Sequence, residues 1–207
     1  MGAPSTMFDS FYVMGGECNY LHQVSVKSGS VRLETVDPIK WKDGRGVRWS
    51  QSEITELLDT AERTLRSKAE DLGLEVTIIR KERAVGLVRT APGRFRYEVL
   101  EEIALSVQAT LKDMNVPPFC AFNGGKDVWL DVGNKSLGIR ALQAFLGATP
   151  ESTVHVGDRF TTTGAGELFF LLHHSATDSQ PPGNDVRARD VCSTLWVSNP
   201  QETVFVM

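Results

Sequence analysis

Residues 120–142 run CAFNGGKDVWLDVGNKSLGIRAL: a short strand, an alternating strand and the opening of a helix in close succession. Phe119 to Phe122 and Val128 to Val132 read as strands, and Asn134 to Leu146 as a helix that turns Leu137, Ala141, Leu142 and Phe145 inward. Downstream, Thr153 to Val156 is an apolar strand ending in Gly157-Asp158. Ser193 to Val197 is another, followed by Pro200 and a helix start that runs to Met207. Strand, helix and strand at this spacing predict a parallel α/β sheet.

Upstream of Pro117-Pro118 the pattern differs. Strand-like pieces flank the glycine pair Gly15-Gly16 between Phe11 and Val26, and Val31 to Val36 is extended. Asp37-Pro38 and Lys42-Asp43-Gly44 mark turns. Ser50 to Leu72 is an amphipathic helix. It opens with a Ser50/Glu53 capping box, repeats Ile54, Leu57, Leu58, Ala61 and Leu65 at helical spacing, and stops at Gly73. Leu74 to Ile79 and Ala84 to Val88 read as paired strands, and Tyr97 to Met114 as a second helix. This order predicts an α+β module over residues 1–115, with helices on one face of an antiparallel sheet, and an α/β part over 116–207. Residues 167–183, apolar and then polar with a proline pair, read as an insertion in the second part.

A formal net charge of −4 argues against a general nucleic-acid surface. The three cysteines, Cys18, Cys120 and Cys192, are scattered and odd in number, so neither a disulfide framework nor a zinc site is expected. No secretory signal opens the chain, and its apolar runs fall far short of membrane-spanning length. The expectation is a cytoplasmic protein with reduced thiols, no nucleic-acid or membrane partner, and assembly into a homo-oligomer left open.

Few residues stand out chemically. Gly157-Asp158 ends an apolar strand, the place where open α/β sheets bind ligands, and its carboxylate suits a hard cation or merely a turn. Lys135 opens a helix, where a cation opposes the helix dipole unless an anion sits between them; the alternative is a solvated surface lysine. Asp127 and Asp131 lie four apart on one strand, so both point to the same face. They could bind a sugar or base hydroxyl, Asp131 could orient Lys135, or both could be structural. Trp41 and Trp49, near Arg45 and Arg48, suit local packing better than base stacking. His173-His174 reads as a loop pair.

The 120–142 string resembles a conserved region of the IMP-specific 5'-nucleotidases, and HVGDRF (155–160) resembles their following motif. YVMGGECNYL (12–21) is similar to a family signature, and RKERAVGLV (80–88) and TLWVSNPQET (194–203) are similar too. The resemblance implies a haloacid-dehalogenase-like parallel core, incomplete here, with an α+β cap over residues 1–115. It implies Mg²⁺-dependent hydrolysis of IMP, or a related nucleoside 5'-monophosphate, to the nucleoside and phosphate. By likeness, Asp127 contacts the substrate from the cap, Lys135 steadies the phosphate and the nucleophile, and Asp158 and Asp185 belong to the metal site. Removing 167–183 would join Gly166 to Asn184 and restore the family pattern, which implies either a surface insertion, with displacement of Asp185 from the metal site then open, or an unremoved intron.

The family mechanism needs an aspartate nucleophile and a second aspartate two residues on. No Asp-x-Asp occurs in the 207 residues. The expectation is that the first core strands are absent and that this chain alone does not hydrolyse IMP. The alternative function is a non-catalytic nucleotide-binding fragment or a truncated gene product. The role of Gly15 to Tyr20 does not follow from the sequence; a cap strand over the substrate is the expectation.

Overall fold

The computed structural model describes residues 10–27, 29–42, 48–157, 185–197, 201–202 and 204. Tyr12–Gly15 (β1), Tyr20–Lys27 (β2) and Ser30–Thr35 (β3) form an antiparallel sheet of their own, in that order. Asp37-Pro38, read as a turn, instead starts the short helix Pro38–Lys42 (α1), with the Asp37 carboxylate accepting from the Ile39 amide at 2.9 Å. Asp followed by Pro serves equally well as a helix N-terminus, because proline's missing N–H is one the first turn leaves unpaired.

The helix Gln51–Asp71 (α2) is capped as predicted. Ser50 Oγ accepts from the Glu53 amide at 3.2 Å, and the Glu53 carboxylate accepts from the Ser50 amide at 2.7 Å. Gly73, with φ +61°, takes the left-handed turn after its end. Val76–Arg80 (β4) and Ala84–Arg89 (β5) pair, and Tyr97–Leu111 (α3) follows.

Phe119–Asn123 (β6) and Asp127–Val132 (β7) are strands as expected, but in a different sheet. They join β4 and β5 in one four-stranded antiparallel sheet, ordered β4-β5-β7-β6. The architecture therefore does not change near residue 115; this sheet is complete only at Val132. The reason lies in the pattern of β7, which buries Val128, Leu130 and Val132 and turns Asp127, Trp129 and Asp131 the other way. A strand buried on one face belongs to an antiparallel sheet with helices on a single side, whereas a parallel core strand is apolar on both. Helices α2 and α3 cover the buried face through Ile54, Leu57, Leu65, Leu100, Ile103 and Val107.

The change comes at Gly133, which leads into Lys135–Leu146 (α4). Leu137, Ala141, Leu142 and Phe145 do turn inward, against Tyr12, Cys18, Leu21 and Trp41 of the N-terminal segment. Tyr12 meets Phe145 edge to face, with centroids 5.7 Å apart. Trp41 is wholly buried there, so packing is its role. The N-terminal sheet and α1 thus sit with α4 rather than with the four-stranded unit. Val154–Gly157 (β8) and Ser193–Trp196 (β9) form a parallel pair, as predicted. Most of the expected C-terminal helix, residues 167–183 and His173-His174 lie outside the described residues.

Gly86 of β5 is required by the ring beneath it: a Cβ there would lie 2.4 Å from Trp129 Cδ2. Gly86→Ala is expected to displace the indole and cost about 1–3 kcal/mol, read by urea unfolding together with a changed near-ultraviolet dichroism. Gly15→Ala, with nothing within 4 Å of its Cβ position, is expected to cost no more than about 0.5 kcal/mol.

Candidate active site

Three segments converge at the carboxyl end of the parallel pair. Asn134 caps α4, its Oδ1 accepting from the Leu137 amide at 3.1 Å and from Ser136 Oγ at 2.8 Å. Lys135 is therefore the first helical residue, and its Nζ lies 2.5 Å from Asp185 Oδ1. His155, on β8, brings Nε2 within 2.8 Å of the same oxygen. Asp185 is 1% exposed, and its carboxylate rests on Gly157, where a Cβ would come within 2.6 Å of it. Val197 closes the base of the site by donating its amide to the Gly157 carbonyl at 2.9 Å.

Asp185 follows the 167–183 stretch, yet it stands against Lys135 and Gly157; it is not displaced from the end of β8. Asp158, the next residue after Gly157, lies outside the described residues. Among the described residues no three His, Cys, Asp or Glu side chains group as a metal site. What they do offer toward a hard cation such as Mg²⁺ is the Asp185 carboxylate at the end of β8, beside Gly157, the residue that Asp158 follows in the sequence.

Asp131 and Asp127 share the uncovered face of β7 but are not brought together. At strand spacing their Cα atoms are about 13 Å apart. Asp131 lies toward Lys135, yet orienting that lysine, one role open to Asp131, falls to Asp185 instead. Burial raises the Asp131 carboxyl from an ordinary 3.8 to about 6, opposed by the Lys81 ammonium. Lys81 also lies 4.2 Å from the Trp129 ring centroid. Asp127 lies at the far end, against Gly124, on the rim of a cleft with Arg89, Arg94 and Lys126. Burial pushes the Cys18 thiol up to about 11 and the Cys120 thiol well above its usual range, so neither is a nucleophile at neutral pH.

His155 is the residue the sequence did not single out. The signal was present: on β8 it shares a face with Gly157, two residues on.

The Asp131 shift fixes a sign. Its folded carboxyl binds a proton more tightly than the unfolded one. The stability it contributes is therefore complete below about pH 4 and is lost as pH rises through about 6. The full shift corresponds to at most about 3 kcal/mol, reduced by the partial exposure of the group. Asp131→Asn is expected to stabilise the chain by about 1–2 kcal/mol at pH 7.5 and to make no difference below pH 4. Urea melts across that range give the check; a pH-independent difference contradicts the assignment.

Comparison with known proteins fits this arrangement. A family model described as IMP-specific 5'-nucleotidase matches residues 4–207. The chain is 41% identical to IMP-specific 5'-nucleotidase 1 of Schizosaccharomyces pombe over 93% of its own length and 43% of the relative's. It is 40% identical to the Yarrowia lipolytica protein of that name, over 94% and 43%. An IMP-bound mutant of Plasmodium falciparum IMP-nucleotidase superposes with a TM-score of 0.78 at 36% identity, over 96% of this chain and 47% of that one. The chain thus spans less than half the length of the relatives it matches. The expected haloacid-dehalogenase-like α/β fold class is the one that structure shares with this chain. A match over nearly all of its residues places the chain in the IMP-specific 5'-nucleotidase family.

Proposed function

We propose that this chain forms the phosphate-holding and nucleoside-facing part of an enzyme that hydrolyses IMP to inosine and phosphate. The observation that carries the reading is the ammonium of Lys135, on the first residue of α4, fixed beside a buried carboxylate at the carboxyl end of β8. A lysine has three N–H donors, and Asp185 engages one. The others are left for phosphate oxygens, in the place where the helix dipole also favours negative charge.

In this reading Asp185 and Asp158 hold Mg²⁺, which when bound neutralises phosphoryl charge. His155 fixes the Asp185 carboxylate. Asp131 accepts a hydroxyl or ring N–H of the substrate. Asp127, further along the same face, meets the nucleoside end. The four-stranded sheet with α2 and α3 serves as the cap, its uncovered face toward the substrate. The IMP-bound neighbour supports the choice of nucleotide.

The absence of Asp-x-Asp favours a second reading for the chain on its own, nucleotide binding without turnover. Calorimetry with IMP and Mg²⁺, paired with a phosphate-release assay, tests both. Expected are IMP binding, at least about ten-fold weaker binding (about 1.4 kcal/mol) in Lys135→Ala, and no phosphate above a metal-free control. An IMP affinity indifferent to Lys135→Ala sinks the phosphate-site reading. Phosphate release that depends on Lys135 sinks the binding-only one.

A further inference from the structure

The signature Gly15-Gly16-Glu17-Cys18-Asn19-Tyr20 has no place in the chemistry above, and its centre is a turn rather than a strand. Gly16 to Asn19 form the turn between β1 and β2, with Gly16 at φ +58° and Glu17 at φ +61°. A left-handed glutamate is strained and persists only where its surroundings hold it. Those surroundings are the junction that leads from β7 into α4.

Asn19, 5% exposed, uses both of its amide protons. Nδ2 donates to the Gly16 carbonyl at 2.7 Å, closing the turn, and to the Val132 carbonyl at 2.6 Å, tying the turn to the last residue of β7. Two glycines admit the turn to the helix. A Cβ on Gly133, itself left-handed at φ +88°, would lie 2.2 Å from Cys18 Sγ. A Cβ on Gly138, in the first turns of α4, would lie 2.7 Å from the Glu17 carbonyl oxygen. From the other side, the Gly133 amide donates to the Pro118 carbonyl at 2.6 Å. The backbone on both sides of Lys135 is therefore gripped, at Val132 and Gly133 before it and at Gly138 after it.

We infer that the Gly16–Asn19 turn is a positioning clamp for Lys135. Asn19 is its key residue, and it acts by fixing where the first residue of α4 begins, so that Nζ meets Asp185 with donors left for a phosphate. The inference rests on the reading of Lys135 as the phosphate-holding group, but its geometric half can be tested without a ligand.

The first measurement is the NMR signal of the Lys135 side-chain ammonium in the full 207-residue chain. Asn19→Ala is expected to shift or broaden it while other lysine signals stay in place. Gly138→Ala, which forces the turn away from α4 while favouring helix, is expected to do the same and serves if Asn19→Ala does not fold. An unchanged Lys135 signal in folded variants overturns the clamp. The second measurement is a double-mutant cycle for IMP affinity, by calorimetry well below the melting temperature. Asn19→Ala is expected to weaken IMP at least about ten-fold in the parent chain and to add nothing in Lys135→Ala. Multiplying effects, or a lowered melting temperature with unchanged affinity, mean a merely structural residue. An affinity that Lys135→Ala leaves intact sinks the phosphate reading instead, and the NMR signal alone then decides the clamp.

Discussion

The carboxylate of Asp185 is almost wholly withdrawn from water, and a charge so placed has to be paired. Its removal from solvent costs several kcal/mol unless partners of good geometry surround it. Here the partners come from separate stretches of chain: Lys135 from the start of α4, and His155 from β8. Pairing that one oxygen therefore fixes three things at once, the depth of α4, the end of β8 and the return of the chain at residue 185. Gly157 makes the approach feasible because any side chain there would occupy the carboxylate's position. The interaction adds modest stability as such pairs go, but it sets geometry that hydrophobic packing alone leaves loose.

The same economy of space recurs around α4. Its inward face buries Ala141 against Cys18, Leu21 and Trp41, and its first turns carry glycine where the β1–β2 turn presses in. Helix α4 is thus held by apolar contact along its length and by polar contact at its N-terminus. The apolar face sets which way the helix lies; the hydrogen bonds of Asn19 and Asn134 set where it begins. A cation that has to meet one buried carboxylate needs the second kind of constraint more than the first, since sliding a helix by one residue moves Nζ by about 1.5 Å along the axis and turns it by about 100°.

Much of this was legible in the sequence, and for identifiable reasons. The Ser50/Glu53 box, the spacing of Ile54, Leu57, Leu58, Ala61 and Leu65, and Gly73 bound α2 within a residue at each end, because capping and periodicity are local properties. Lys135 at a helix start and the strand ending in Gly157 were equally local. Sheet membership was not: the change of pattern after Pro117-Pro118 groups β6 and β7 with α4, whereas their pairing with β5 is a long-range fact. The alternation of Asp127, Trp129 and Asp131 with Val128, Leu130 and Val132 already spoke for a one-sided sheet. The partnership of Lys135 and Asp185, 50 residues apart, had no local trace at all.

The division of the molecule also looks different once the packing is known. A single cut in sequence separates a first part from a second, but β1 to β3 and α1 belong in space with α4. The four-stranded unit, residues 51–132, is therefore an excursion that leaves this N-terminal segment and returns to it at Gly133. Both connections of the excursion meet near Trp49, which packs against the cores of both units. The contact of the Gly16–Asn19 turn with Val132 and Gly133 lies at that return point, so the end of the excursion and the start of α4 are held by the same turn.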